Sequence, residues 1–290
     1  MDPDDGPESG NAGSPPERER AIWRRKAAER ALAAAGVAPE ELDIIILGTS
    51  SPDRNYPSDA CSVQAAIGAV NAVAFDISAA CAGFIFAMNI VEGFFKAGIY
   101  KTALIIGAET LSKVTDWSDR GTCVLFGDGA GAAVLKAEET GIIDMMMGAD
   151  GTKGDVLACT SRTVGNFLTG TKPELGFMTM DGQEVFKFAV RKVPESVMEL
   201  LQRTGTKKED IKYYVLHQAN ERIIEAAARR LKEPMEKFPM TISQFGNTST
   251  ASIPLLLDDM IRKDMLKKGD KIIMSGFGAG MTWGAVLMEW

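Results

Sequence analysis

Residues 31–48, ALAAAGVAPEELDIIILG, lie without a gap over residues 200–217, LLQRTGTKKEDIKYYVLH. Each stretch reads as the end of a helix, a glycine stop, a short acidic turn and a β-rich apolar run. The shift is 205 − 36 = 169 at the glycines, and the same shift pairs Glu40 with Glu209 and Gly107 with Gly276. One offset held across about 75 positions marks duplicated halves rather than coincidence. It also sets Cys81 opposite Thr250, each at the start of a helical stretch, so the halves offer facing helix N-termini.

Outward from this pair, the β-rich runs LDIIILGT (42–49), KTALIIGA (101–108), IKYYVLHQ (211–218) and DKIIMSGF (270–277) alternate with apolar helical stretches. That alternation predicts an α/β fold, with helices packed on a largely parallel sheet. The second half opens on another strand-like run, GIIDMMMGADG (141–151), whose counterpart at the same shift would precede residue 1. The first half is therefore expected to lack one strand. Residues 1–17, MDPDDGPESGNAGSPPE, are Pro, Gly, Ser and acid, too polar to bury themselves. The expected organisation is a disordered tail over 1–20, a first half over 21–140 and a second over 141–290.

Composition excludes several function classes. At 290 residues, 46% hydrophobic and 24% charged, the chain has the makeup of a soluble globular protein. Its net charge of −7 argues against nucleic-acid binding, which needs clustered Lys and Arg. No apolar run is long enough to span a membrane, and the acidic start lacks the pattern of a secretory signal. Cys61, Cys81, Cys123 and Cys159 have neither metal-binding spacing nor disulfide-scaffold density, so a reducing cytoplasm is expected. With one histidine, His217, no metal site is expected.

Three strand-to-helix junctions carry candidate chemistry. In DISAACAGF (76–84), Cys81 is read as opening a helix, whose free N–H groups and dipole favour a thiolate. Its small neighbours leave room for a ligand to reach sulfur, although a free cysteine is as often a small buried apolar side chain. His217 of HQAN follows a strand, and Asn247 of FGNTSTAS is read between strand and helix. Singly these are ordinary structural or capping residues; the repeat is what lets the three junctions converge on one pocket. GFGAGMTWG (276–284) is read less as a plain turn than as a loop offering an N–H to a developing oxyanion.

From about residue 22 to Trp290, with DISAACAGF, DRGTCVLFGDGAGAAVL, HQAN, GNTSTASIP and GFGAGMTWG, the chain resembles the β-ketoacyl-acyl carrier protein synthase III family. The resemblance implies a duplicated, five-layer αβαβα thiolase-like fold, a homodimer, and no metal or redox cofactor. It implies a decarboxylating condensation of an acyl-CoA primer with malonyl-acyl carrier protein, through Cys81, His217 and Asn247. Backbone N–H groups of Cys81 and Ala279 would hold the oxyanion. The chain's single histidine excludes the Cys-His-His set of elongating synthases, and the lack of cysteine after Cys159 excludes a thiolase's second cysteine.

Further roles carry over by resemblance. Arg120 and Gly121 match the CoA-adenine site, and Gly182, Phe186, Ala219 and Asn220 the pantetheine tunnel. Tyr56 matches a gate into the partner subunit's acyl pocket. Lys187, Arg222, Arg229 and Arg230 match the patch that receives the acidic carrier protein. Family members also carry a first strand and a tryptophan loop facing the arginine; Trp23, in the first helical stretch, does not match that motif. A related acyltransferase or polyketide-starter enzyme, and an inactive shortened homologue, are the alternatives.

Overall fold

The computed structural model describes residues 17–290 except residue 175. Most of the expected tail lies outside the described residues. Its last four positions, 17–20, are instead the first turn of helix α1 (Glu17–Ala35). The Glu-Arg-Glu-Arg run there is made of good helix formers, which moves the boundary.

After α1 the first half continues with β1 (Ile44–Gly48), α2 (Asp59–Ile67), β2 (Val73–Ile77), α3 (Gly83–Lys96), β3 (Thr102–Glu109) and β4 (Gly129–Lys136). The chain then forms β5 (Ile142–Ala149), the small pair β6 (Leu157–Cys159) and β7 (Met178–Met180), and α4 (Gly182–Thr204). It ends with β8 (Ile211–Leu216), α5 (Glu221–Leu231), α6 (Ile242–Phe245), α7 (Ser252–Arg262), β9 (Lys271–Gly278) and β10 (Thr282–Glu289).

Two four-stranded sheets form, in the orders β2-β1-β3-β4 and β5-β10-β9-β8. In the first, β2, β1 and β3 are parallel and β4 runs against β3. In the second, β8 and β9 are parallel, while β10 runs against both β9 and β5. Alternation along β1 shows how the layers arise: Ile44 and Ile46 join the cluster holding α3 and α7, whereas Ile45 and Leu47 join the one holding α1 and α2. A strand covered on both faces reads as an unbroken apolar run, as IIIL does. On the far side α4 and α5 cover the second sheet through Phe188, Val197, Leu200 and Ile224. The result is five layers, α1/α2, sheet, α3/α7, sheet, α4/α5.

The 169-residue shift recurs in the backbone. It maps β3 onto β9 end to end, since 271 − 102 and 278 − 109 both equal 169. It maps the 3-10 turn Ala80–Ala82 onto Ser249–Ala251, and the first residue of α3 onto that of α7. Even the unusual conformations correspond: Ala80 has φ 46° and Ser249 φ 48°, a region that side-chain-bearing residues rarely occupy. The correspondence fails where β2 would map, because residues 242–245 form α6. There the Thr241 N–H donates to the Gln218 side-chain oxygen, and its carbonyl accepts from Gln244 and Phe245, which winds a turn in place of a ladder.

β5 pairs only with β10 and stands at a sheet edge. Among the described residues β5 has no counterpart in the first half, and being an edge strand it leaves the pairing order β2-β1-β3-β4 of the first sheet unbroken. α1 is held through buried Arg24, whose guanidinium pairs with Asp53 and Asp59.

Candidate active site

Cys81 sits in the 3-10 turn Ala80–Ala82, two residues before α3 rather than on its first turn. Its backbone is pressed against β9: a Cβ added to Gly278 would fall 2.6 Å from the Cys81 nitrogen, and one on Gly276 3.4 Å from its carbonyl oxygen. The facing turn repeats the arrangement, since a Cβ on Gly107 would lie 2.4 Å from the Thr250 oxygen. Only glycine permits the approaches at Gly278 and Gly107, whereas a Cβ at Gly276 would make ordinary contact. The Thr250 hydroxyl lies 2.7 Å from the Ala80 carbonyl and 3.0 Å from the Glu109 carboxylate.

The other two candidates gather around the same elements. His217 follows β8; its N–H donates to the Ser275 carbonyl at 2.8 Å and its ring meets Phe277 edge-on at 5.5 Å, both on β9. Nδ1 lies 2.6 Å from the Ser252 hydroxyl, at the start of α7. Asn247 Oδ1 accepts from the Ser249 N–H at 2.9 Å, and its backbone is clipped to Leu125 and Gly127 of the first half. The Ser249 hydroxyl donates to the Glu109 carboxylate at 2.9 Å and also acts on the Cys81 thiol, lowering its pKa against the effect of burial. The end of β9 and the Ser249–Ser252 segment therefore tie all three residues into one cluster, with Cys81 8%, His217 2% and Asn247 7% exposed.

Burial sets the protonation states. It pushes the Cys81 thiol up to about 12; the nearby Glu109 carboxylate adds to that, and the Ser249 hydrogen bond works against it. The thiolate expected from a helix N-terminus is overridden, because Cys81 lies just outside α3 and is desolvated. Burial lowers His217 to about 3, so the ring is neutral across physiological pH.

The sequence did not single out Glu109, Ser249 or Ser252. Glu109, 1% exposed, accepts hydrogen bonds from Ser50, Ser51 at 2.6 Å and Ser249 at 2.9 Å, and lies 3.3 Å from the Thr49 hydroxyl. The available signal was a lone carboxylate ending a wholly apolar strand, TALIIGAE. GFGAGMTWG forms the turn of a hairpin: β9 runs to Gly278, Ala279–Met281 turn, and β10 begins at Thr282. Ala279 stands beside the Ala80–Ala82 turn, where the Thr282 hydroxyl lies 3.1 Å from the Ala79 carbonyl and 3.2 Å from the Ala279 carbonyl.

The remaining candidates lie nearer the surface. Arg120 and Gly121 are on an exposed loop, with the Gly121 N–H donating to Asp119. Gly182 and Phe186 are exposed at the start of α4; Ala219 and Asn220 are half-buried, and Asn220 caps α5 by accepting from the Arg222 N–H. Tyr56 is 85% exposed. Lys187 pairs with Glu184 and Arg229 with Glu225, while Arg230 donates to the Val190 carbonyl, joining α5 to α4; Arg222 is exposed.

Family comparison gives this cluster its setting. The 3-oxoacyl-[acyl-carrier-protein] synthase III model matches residues 75–151, and that of the same enzyme's C-terminal part matches 201–290. The β-ketoacyl-[acyl-carrier-protein] synthase III of Clostridium acetobutylicum is 51% identical over 267 residues, covering 91% of this chain and 82% of the relative. The chain belongs to the β-ketoacyl-acyl carrier protein synthase III family. A second synthase III, from Clostridium novyi, is also 51% identical with the same coverage. Among solved structures, synthase III of Aquifex aeolicus superposes with a TM-score of 0.86 at 44% identity, over 93% of this chain and 84% of that one. The priming β-ketosynthase of the R1128 polyketide pathway superposes at 0.85 with 33% identity, over 95% and 83%. The fold is thiolase-like, and the chain is a condensing acyltransferase of the synthase III type. Among the described residues no helix can cross a membrane, and no group of three or more His, Cys, Asp or Glu could hold a metal ion.

Proposed function

We infer that the chain condenses an acyl-CoA primer with malonyl-acyl carrier protein, releasing carbon dioxide and CoA and giving a β-ketoacyl-acyl carrier protein that initiates fatty acid synthesis. The observation carrying this reading is the linkage of Cys81, His217 and Asn247 through β9 and Ser249 in a chain of this family.

In the first step the Cys81 sulfur attacks the thioester carbonyl. The N–H groups of Cys81 and Ala279 hold the oxyanion, and CoA leaves carrying the thiol proton. In the second step malonyl-acyl carrier protein loses carbon dioxide. The resulting enolate, its oxygen held by His217 and the Asn247 amide, attacks the acyl carbon, and Cys81 sulfur leaves and regains a proton. Ser252 already accepts from the Gln218 N–H, so its own hydrogen is available to Nδ1 of His217. With that hydrogen donated to Nδ1, the ring proton sits on Nε2, which the donor role requires. Loss of carbon dioxide drives the step without a cofactor.

Arg120, Gly121, Gly182, Phe186, Ala219 and Asn220 line the route for CoA and pantetheine in this reading, and Lys187, Arg222, Arg229 and Arg230 receive the carrier protein. We read residues 21–140 and 141–290 as the two halves. A cytoplasmic homodimer covers exposed Tyr56 and the apolar hairpin tip at Phe167 and Leu168, which are 99% and 92% exposed. The likeness to the R1128 priming enzyme favours one second reading, the same acyl transfer onto a different carrier-bound acceptor.

The test is the intact mass of the protein after exposure to acetyl-CoA and, separately, isobutyryl-CoA, with peptide mapping. An acyl increment on Cys81, absent in Cys81→Ala, is expected. Persistent acylation elsewhere in that variant would overturn the nucleophile assignment. Turnover with another carrier but none with malonyl-acyl carrier protein would select the second reading.

A further inference from the structure

Beside Cys81 the second half sets a hydroxyl on the peptide bond that carries the cysteine's own N–H. The Thr250 hydroxyl lies 2.7 Å from the Ala80 carbonyl oxygen, and that carbonyl and the Cys81 N–H belong to one planar peptide group. Thr250 is 1% exposed and takes no part in either step of the condensation.

We propose that Thr250 is a positioning residue for acyl transfer: its hydroxyl, donating to the Ala80 carbonyl, aims the Cys81 N–H and strengthens it as an oxyanion donor. This rests on the reading of that N–H as half of the oxyanion hole.

Three observations carry it. The first is where the hydroxyl hydrogen goes. Two acceptors are within reach of it, the Ala80 carbonyl at 2.7 Å and Glu109 Oε1 at 3.0 Å. Glu109 already accepts from the Ser50 N–H and the Ser51 and Ser249 hydroxyls, and the contact to Ala80 is the shorter. A hydrogen bond accepted at a peptide oxygen polarises the group and makes its N–H a better donor.

The second is the conformation of the turn. Ala80, at φ 46°, occupies a region that side-chain-bearing residues rarely enter, and such a residue stays there only where its surroundings fix it. The peptide after it is fixed at both ends. Its oxygen receives the Gly83 N–H and the Thr250 hydroxyl, and its nitrogen is pressed by β9 at Gly278.

The third is the seat of Thr250. A Cβ added to Gly48 would fall 2.7 Å from its methyl group, and one on Gly83 3.0 Å from both methyl and hydroxyl. Its own carbonyl is held against Gly107. The side chain is therefore wedged between β1 and the start of α3, and close packing leaves the hydroxyl little freedom to turn away from Ala80.

The same turn supplies a control. The Thr282 hydroxyl lies 3.1 Å from the Ala79 carbonyl, the oxygen of the preceding peptide, whose N–H belongs to Ala80. Thr282→Val takes a threonine hydroxyl off the turn without touching the peptide of Cys81.

The test is the rate of single-turnover acetylation by acetyl-CoA, followed by quenched intact mass, in the unaltered chain, Thr250→Val, Thr250→Ser and Thr282→Val. Losing a whole oxyanion donor costs about a hundredfold to a thousandfold; weakening one costs less, so Thr250→Val should slow acetylation by about tenfold with half-saturation unchanged. Thr250→Ser and Thr282→Val should acetylate as the unaltered chain does. Alkylation by iodoacetamide, which develops no oxyanion, should run alike in all four. In the 13C-acetyl enzyme the thioester carbonyl stretch should move to higher wavenumber in Thr250→Val alone. The proposal is overturned if Thr250→Val acetylates at the unaltered rate, if its alkylation slows as much as its acetylation, or if Thr250→Ser or Thr282→Val is as slow. Acetylation of the unaltered chain at a residue other than Cys81 is the separate result that removes the oxyanion reading itself.

Discussion

At the scale of single residues, the cluster around Cys81 balances two neighbours of opposite effect. The Glu109 carboxylate opposes a thiolate and the Ser249 hydroxyl favours one. Alkylation of Cys81 by iodoacetamide should therefore keep accelerating with pH well past the ordinary thiol range. Glu109→Gln should move the profile to lower pH and Ser249→Ala to higher pH; shifts of one sign in both variants would contradict this account. Replacing Gly278 by alanine drives a methyl group to 2.6 Å from the Cys81 nitrogen. It should abolish acyl transfer and destabilise the fold by about 1–3 kcal/mol, read from denaturant midpoints. That Cys81, His217 and Asn247 gather in one place was legible in the sequence because each stands in a short motif at a junction. Glu109 and Ser249 were not, because their meaning is a contact across 140 positions of chain. The thiol's protonation was misjudged for a related reason: sequence gives proximity to a helix start, while desolvation is a property of everything packed around it.

At the scale of elements, helix ends follow local rules. Asp181 caps α4 by accepting from the N–H groups of Gln183 and Glu184, and Gly205 ends it with φ 67°. Asp181→Ala and Gly205→Ala should each cost about 1 kcal/mol in thermal or denaturant unfolding, leaving acyl transfer on Cys81 intact. The repeat was readable because glycine stops and strand lengths are fixed by backbone geometry, which tolerates little drift. α6 was not readable: MTISQF resembles a strand in composition, and the Gln218 side chain that takes Thr241 away from the ladder comes from more than twenty positions earlier. Likewise the edge position of β5 is set by strand order rather than by any local signal.

At the scale of the whole molecule, the halves are locked together through buried groups. Glu109 of the first half holds Ser249 of the second, while Thr250 and Gly278 press on the backbone of Ala80 and Cys81. Unfolding should accordingly be one cooperative transition, with tryptophan fluorescence and far-UV circular dichroism coincident; two separated transitions would mean the halves fold independently. Stability should fall on both sides of neutrality. Below about pH 6.5 the unfolded chain protonates His217, which the folded chain resists down to about 3, so stability declines with acid. Above about pH 9 the unfolded chain releases the Cys81 proton, which the folded chain keeps to about 12, so stability declines with alkali. Cys81→Ser should flatten part of the alkaline limb.

The matched turns at Ala80–Ala82 and Ser249–Ala251 have a bearing on descent. Two copies of one short gene, pairing as twins, would have carried the same residue at both turns and changed them only in step. Fusion into one chain releases that constraint: one turn is free to keep sulfur for chemistry while its mirror image takes up threonine. The asymmetry of Cys81 and Thr250 is thus one that a single continuous chain can hold and a pair of identical copies could not.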